Sequence, residues 1–154
     1  APIIKHAFEH NGIMAYAQPI FNLNDNSVDK YELLVRIKYN DKVYSPSKFI
    51  KAARNSGQVY NIFKFMFDQA CQQAAKTGLH YSINISDCEF HHDGLVEFIS
   101  QCLEKHNVDP KLLSLEILES HAITQSDEIN VVNEHCSISL FNITSRVIFS
   151  ALGV

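Results

Sequence analysis

The chain has 154 residues, 46% of them hydrophobic and 19% charged, which fits one folded domain and argues against a disordered chain. Thirteen Lys and Arg against 17 Asp and Glu give a formal charge of −4, so no basic field exists to hold a nucleic-acid polymer. No apolar run approaches the roughly 18 residues of a membrane-spanning helix, so membrane insertion is not expected.

Pro2 and Gly12 bracket a short helix over residues 2–10. Met14 to Leu23 is rich in strand formers, Asn24-Asp25-Asn26-Ser27 is a dense turn signal, and Val28 to Lys38 forms a second strand, which predicts a hairpin. Ser45 is placed to cap a helix with Pro46 at its first position; Phe49, Ile50 and Ala53 space its apolar face and Gly57 closes it. Gln58 to Lys76 carries Val59, Ile62, Phe63, Met66, Phe67 and Ala70 at helical spacing, and Gly78 ends it. Among Phe63, Phe65, Met66 and Phe67, core packing with one exposed aromatic is expected.

His80 to Ser86 alternates as a strand, and Asp93 to His106 is a capped amphipathic helix that Pro110 prevents from continuing. Leu112 to Glu119 is a further strand, Thr124 to His135 a helix, Ser137 to Ile143 another strand, and Arg146 to Leu152 the start of one more helix. After the hairpin, strand and helix alternate, which argues for a mostly parallel sheet or barrel in a single domain over 1–154.

Chemistry in parallel α/β folds collects where strands end. Period-2 alternation puts Glu32, Leu34 and Arg36 on one face of the second strand, Ser82 and Asn84 on one face of the next, and Ser114 with Glu116 on one face of the fourth. Glu32, Asn84 and Glu116 therefore stand at interior-type positions, where unpaired carboxylates are costly. Two carboxylates and an amide oxygen suit a hard cation such as Mg²⁺, Mn²⁺ or Ca²⁺. They equally suit a buried hydrogen-bond network in which Arg36 neutralises Glu32.

The segments Ala15-Tyr16-Ala17-Gln18-Pro19-Ile20 and Tyr31-Glu32-Leu33-Leu34-Val35-Arg36 resemble the opening of an EAL domain, the bacterial family that hydrolyses cyclic di-GMP. The namesake triplet stands here as Glu32-Leu33-Leu34. Three later blocks keep the family order: Pro46-Ser47-Lys48-Phe49-Ile50, Ile83-Asn84-Ile85-Ser86 and Leu115-Glu116-Ile117-Leu118-Glu119. The match runs from about residue 13 to 120. The resemblance implies an α/β fold, an incomplete TIM-like (β/α) barrel of about five strands with an opening antiparallel hairpin. It implies Glu32 and Glu116 as catalytic residues, Glu32, Asn84 and Glu116 as ligands to Mg²⁺ or Mn²⁺, and Gln18 and Arg36 as contacts to cyclic di-GMP. Arg36 would take a phosphate with its planar donor fork. Glu119 would support the site from outside the metal ligands. Two cations would polarise the phosphodiester and generate the attacking hydroxide, opening the ring to the linear dinucleotide.

Two departures accompany the resemblance. The family's Asp-Asp-Phe-Gly-Thr-Gly block finds only Phe141-Asn142-Ile143-Thr144-Ser145-Arg146, with Asn142 the weakest of the metal candidates. A complete barrel takes roughly 250 residues, and the strands that carry the family's later lysine and glutamate are missing here. Residues 137–154 are thus a diverged or truncated end. An open barrel exposes strand edges, so a homo-oligomer or a partner protein covering that edge is expected. Weak or absent turnover follows, with a non-catalytic module that binds cyclic di-GMP or a protein as the alternative.

Cys71, Cys88, Cys102 and Cys136 are widely spaced without a C-x-x-C pair, and no leader-like segment opens the chain, which implies a cytoplasmic protein. Cys88-Glu89-Phe90-His91-His92 lacks the spaced second pair of a structural zinc site and is expected to be a solvated loop before the Asp93 cap. His6, His10, His80, His106, His121 and His135 lie mostly near helix ends.

Overall fold

Strand-forming residues between Gly12 and Tyr39 fold back on themselves through a polar turn. In the computed structural model, which describes residues 2–117, 132, 134, 136 and 138–142, β1 (Ile13–Phe21) pairs antiparallel with β2 (Val28–Tyr39). Short polar side chains close the hairpin: Asn22 Oδ1 accepts from Asn24 N at 2.9 Å and Asp25 Oδ1 from Ser27 N at 2.9 Å. Asn40 and Asp41 then take positive φ of 49° and 59°, the geometry of a two-residue primed turn, and reverse the chain into β3 (Lys42–Tyr44). This second hairpin extends the sheet beyond the expected five strands. Its signal was the adjacent Asn and Asp just past the apolar run.

Three parallel strands follow: β4 (Tyr81–Ile85), β5 (Leu113–Ile117) and β6 (Ser139–Asn142), in the spatial order β1-β2-β4-β5-β6. β2 is long enough to serve two neighbours on one edge, β4 at Tyr31–Leu33 and β3 at Ile37–Tyr39. Among the described residues the sheet stays open, the incomplete (β/α) barrel that was expected. β1 forms one outer strand and contains Pro19, opposite Tyr31. Tyr31 N donates to His80 O at 2.9 Å, toward β4, so the Pro19–Tyr31 pair is not hydrogen-bonded and the proline nitrogen faces outward.

Helices cover one face. α1 (Pro2–Glu9) buries Ile4 and Ala7, and Gly12 N bonds back to Ala7 O at 2.7 Å around the left-handed Asn11. α2 (Ile50–Asn55) is short, and Gly57 at φ 68° turns the chain into α3 (Val59–Thr77). α3 presents Val59, Ile62, Phe63, Met66, Phe67, Ala70, Cys71 and Ala74 as one buried stripe against Leu33 and Ile83; Phe65 is only half-buried. Gly78, at φ 69°, ends the helix. After the single turn of α4 (Asp87–Phe90) comes α5 (Leu95–His106), tied to α3 where Asp68 meets Lys105 Nζ at 3.0 Å and His106 Nε2 at 2.9 Å. Val132, Glu134 and Cys136 are helical; the rest of the expected helix 124–135 and the expected start at Arg146 lie outside the described residues.

Two expected caps differ. Ser45 bonds Ser47 Oγ at 3.0 Å rather than capping, because Pro46–Lys48 forms a 3₁₀ turn that Phe49 (φ −134°) breaks before α2. Asp93 does not cap α5: the helix begins one residue later than that would allow, behind Gly94, whose N–H is taken by His92 Nδ1 at 3.2 Å. The segment around Cys88 is not all solvated loop either, since Glu89 and Phe90 are buried, 5% and 3% exposed.

Gly12 lies where the end of α1 crosses β2: a Cβ there would stand 2.6 Å from Lys38 O and 3.2 Å from Ala7 Cα. Gly12→Ala should therefore lower stability by about 1–3 kcal/mol, read as an earlier urea midpoint. An unchanged midpoint would mean that this crossing relaxes freely.

Candidate functional site

Alternation sorts the parallel strands into an apolar outer face and a polar inner one. Leu33, Ile83, Ile85, Leu113, Leu115 and Ile117 are buried and apolar, whereas the intervening positions hold Lys30, Glu32, Ser82, Asn84, Ser114 and Glu116. The register sets Glu32 level with Ser82, and Asn84 level with Glu116. On the antiparallel side Gln18 pairs with Glu32 and Met14 with Arg36. The three residues picked from sequence thus do come together on one face, from three strands.

Their contacts differ from the anticipated ones. Asn84 Nδ2 donates to Glu32 Oε1 at 2.9 Å. Arg36 does not neutralise Glu32; it donates through Nη1 to Val35 O at 2.8 Å and its guanidinium stands 5.7 Å from the centre of the Tyr16 ring. The neutralising cation of the inner face is Lys30, whose Nζ lies 2.6 Å from Glu116 Oε1, with the two side chains 9% and 2% exposed. The alternation that places Glu32 inside places Lys30 inside too, two residues earlier, and this was the overlooked signal. β2 and β5 are separated by β4, roughly 10 Å at two strand spacings, a gap that two long side chains close above small Ser82 and Ser114.

Ser82 Oγ is buried with no hydrogen-bond partner among the described residues, and Ser114 Oγ lies 3.1 Å from His80 Nε2. Burial first, and then the Lys30 charge, hold His80 below the usual histidine range, against weaker opposing pulls from Asp29 and Glu116. Beside Asn84 opens a largely apolar cavity of about 220 Å³, lined among others by Leu34, Val35, Pro46, Arg54, Ser86 and Glu89. Glu89 accepts from Ser86 N at 3.1 Å and from the Ser86 hydroxyl, and burial pushes its carboxyl up.

β6 brings Phe141 level with Glu116 and Asn142 level with Ile117, so Asn142 stands one position out of step with the Glu116 row. Glu119 lies outside the described residues. Among the described residues no group of three or more His, Cys, Asp or Glu could hold a metal. A divalent cation at Glu32, Asn84 and Glu116 needs oxygen lone pairs, yet Glu116 accepts from an ammonium and Asn84 presents its N–H to Glu32. As arranged, these residues do not fit that ion.

The EAL domain family model matches residues 2–146. The signaling protein YkoW of Bacillus subtilis (strain 168) is 30% identical over 124 residues, covering 77% of this chain and 16% of that protein. The bifunctional diguanylate cyclase/cyclic di-GMP phosphodiesterase MucR of Pseudomonas aeruginosa is 26% identical over 141 residues, covering 87% of this chain and 21% of MucR. A solved structure of the MucR phosphodiesterase in complex with c-di-GMP superposes with a TM-score of 0.80 at 24% identity, over 89% of this chain and 60% of that one. The chain therefore spans about a fifth or less of the curated relatives described here.

Because His80 stays neutral in the folded chain to a lower pH than in the unfolded one, the unfolded state binds a proton first as pH falls. Stability should thus decline as pH drops below about 6.5, until the folded-state pKa is passed. His80→Gln should flatten that part of the curve in chemical denaturation at pH 5–7. A wild-type curve already flat over that window would contradict the assignment.

Proposed function

The chain belongs to the EAL domain family, and from that premise we propose that it is a cyclic di-GMP domain of the phosphodiesterase type, with weak turnover at most. The observation that carries this is the gathering of Glu32, Asn84 and Glu116 from three strands onto one face, beside Gln18 and Arg36. The roles named for the MucR relative and its c-di-GMP complex lend further support.

On this reading Arg36 takes one phosphate through the N–H groups of its fork that Val35 does not engage, and the Tyr16 ring steadies the guanidinium. Gln18, opposite Glu32, offers an amide that both donates and accepts. Arg36 and Glu32 are four residues apart on one strand, roughly 13 Å, a spacing that suits an extended ligand with two phosphates. Hydrolysis adds water across one phosphodiester: oxygen bonds to phosphorus, the ester oxygen leaves and takes a proton. Glu32, half-buried and held by Asn84, is the carboxylate we assign to accept the proton from that water. Glu116 belongs to the same catalytic cluster, and Glu119 is assigned a supporting place on the resemblance alone. The Mg²⁺ or Mn²⁺ that the family implies enters no step here, because Lys30 holds Glu116.

Among the described residues no helix is long and apolar enough to cross a membrane, and the four cysteines are free thiols. A cytoplasmic setting accords with both. Among the described residues the sheet is open, and this supports a second copy or a partner protein at its edge.

Calorimetric titration of cyclic di-GMP into the chain should give saturable binding, and Arg36→Ala should weaken it about ten- to a hundredfold, the loss of a charge-assisted hydrogen bond to phosphate. Absence of binding in both Mg²⁺ and EDTA would overturn the proposal. Binding without any linear product would leave the domain a receptor for the dinucleotide.

A further inference from the structure

We propose that the Lys30 ammonium takes the place of a divalent cation at Glu116, so that this site receives a phosphodiester anion without metal. The identity of that anion rests on the function proposed above; the cation replacement rests on geometry alone. Lys30 is 8% exposed overall, and its Nζ lies 2.6 Å from a carboxylate that is itself 2% exposed. A lysine stem loses much rotamer freedom when buried, and a buried ammonium is tolerated only with a close anionic partner. Glu116 is that partner, delivered from two strands away across Ser82.

Charge arithmetic points the same way. The Lys30 ammonium offsets the negative charge of Glu116 and so weakens that carboxylate's pull on a second cation. A divalent ion at Glu116 would stand within a few ångströms of a fixed ammonium and be repelled. It would also have to displace the shortest charged contact among the ion pairs of the described residues. With Asn84 donating its N–H to Glu32, the second carboxylate is likewise set for hydrogen bonding rather than for coordination.

Mn²⁺ alone, titrated into the chain and followed by the loss of its free-ion electron paramagnetic resonance signal, tests this without any turnover assay. The wild-type chain should match the Lys30→Met/Glu116→Gln double variant, in which both charges are gone and the pair is replaced by neutral groups of similar size. A saturable Mn²⁺ site present in wild type and lost in the double variant would overturn the proposal. Lys30→Met alone should bind Mn²⁺ more tightly than wild type, on the order of a hundredfold or more, since a fixed charge a few ångströms away is gone. A folded Lys30→Met chain with no such gain would also overturn it. Should that variant fail to fold, the comparison of wild type with the double variant decides. With cyclic di-GMP as the probe, wild-type affinity should be the same in EDTA and in Mg²⁺, and a dependence on Mg²⁺ would count against the replacement. No affinity in either would sink the function proposed above while leaving the Mn²⁺ outcome decisive here.

Discussion

The inner face of this sheet is organised around a buried ammonium. Lys30 enters from β2 and must find a carboxylate within hydrogen-bond reach, and Glu116 on β5 is the group that meets it. Removing one partner of such a pair generally costs about 3–5 kcal/mol, because the other is left charged in a poorly solvated place. The pair thus fixes more than one contact. A one-residue slip of β5 would turn Ser114 and Glu116 to the helix side and bring Leu115 inward, taking this carboxylate away from the ammonium. Register, strand order and the chemistry of the face are therefore specified together.

That constraint divides the polar residues into two sets. Lys30 and Glu116 are paired deep in the sheet, whereas Glu32, Gln18 and Arg36 are only half-buried and lie toward the antiparallel hairpin. The hairpin side holds the charged groups of this face that solvent reaches. Asn84 joins the two sets, sharing a register row with Glu116 and a hydrogen bond with Glu32. α3 packs the opposite face and holds the strands at their places.

Period-2 alternation made Glu32, Asn84 and Glu116 legible as neighbours before any coordinates, since a parallel sheet leaves each only one face to occupy. Glycines and apolar spacing likewise marked α3 and its end at Gly78. What alternation alone does not convey is which charge meets which. Arg36 shares a strand face with Glu32, but residues four apart on a strand are roughly 13 Å apart, so that pairing was geometrically poor from the outset. Lys30 satisfies Glu116 because two intervening strand spacings match two long side chains. Cap positions were less legible for a different reason. Ser45 and Asp93 have the right chemistry, but Pro46 favours a 3₁₀ turn and His92 competes for the Gly94 amide. β3 was missed because a three-residue strand has too little alternation to register, although its turn residues announced it.

Pro19 blunts the β1 edge of the sheet. Its nitrogen faces outward from β1, so a strand approaching that side meets a missing donor in the middle of the row it would have to copy. The flank so blunted is the one that bears Gln18 and Arg36 nearby.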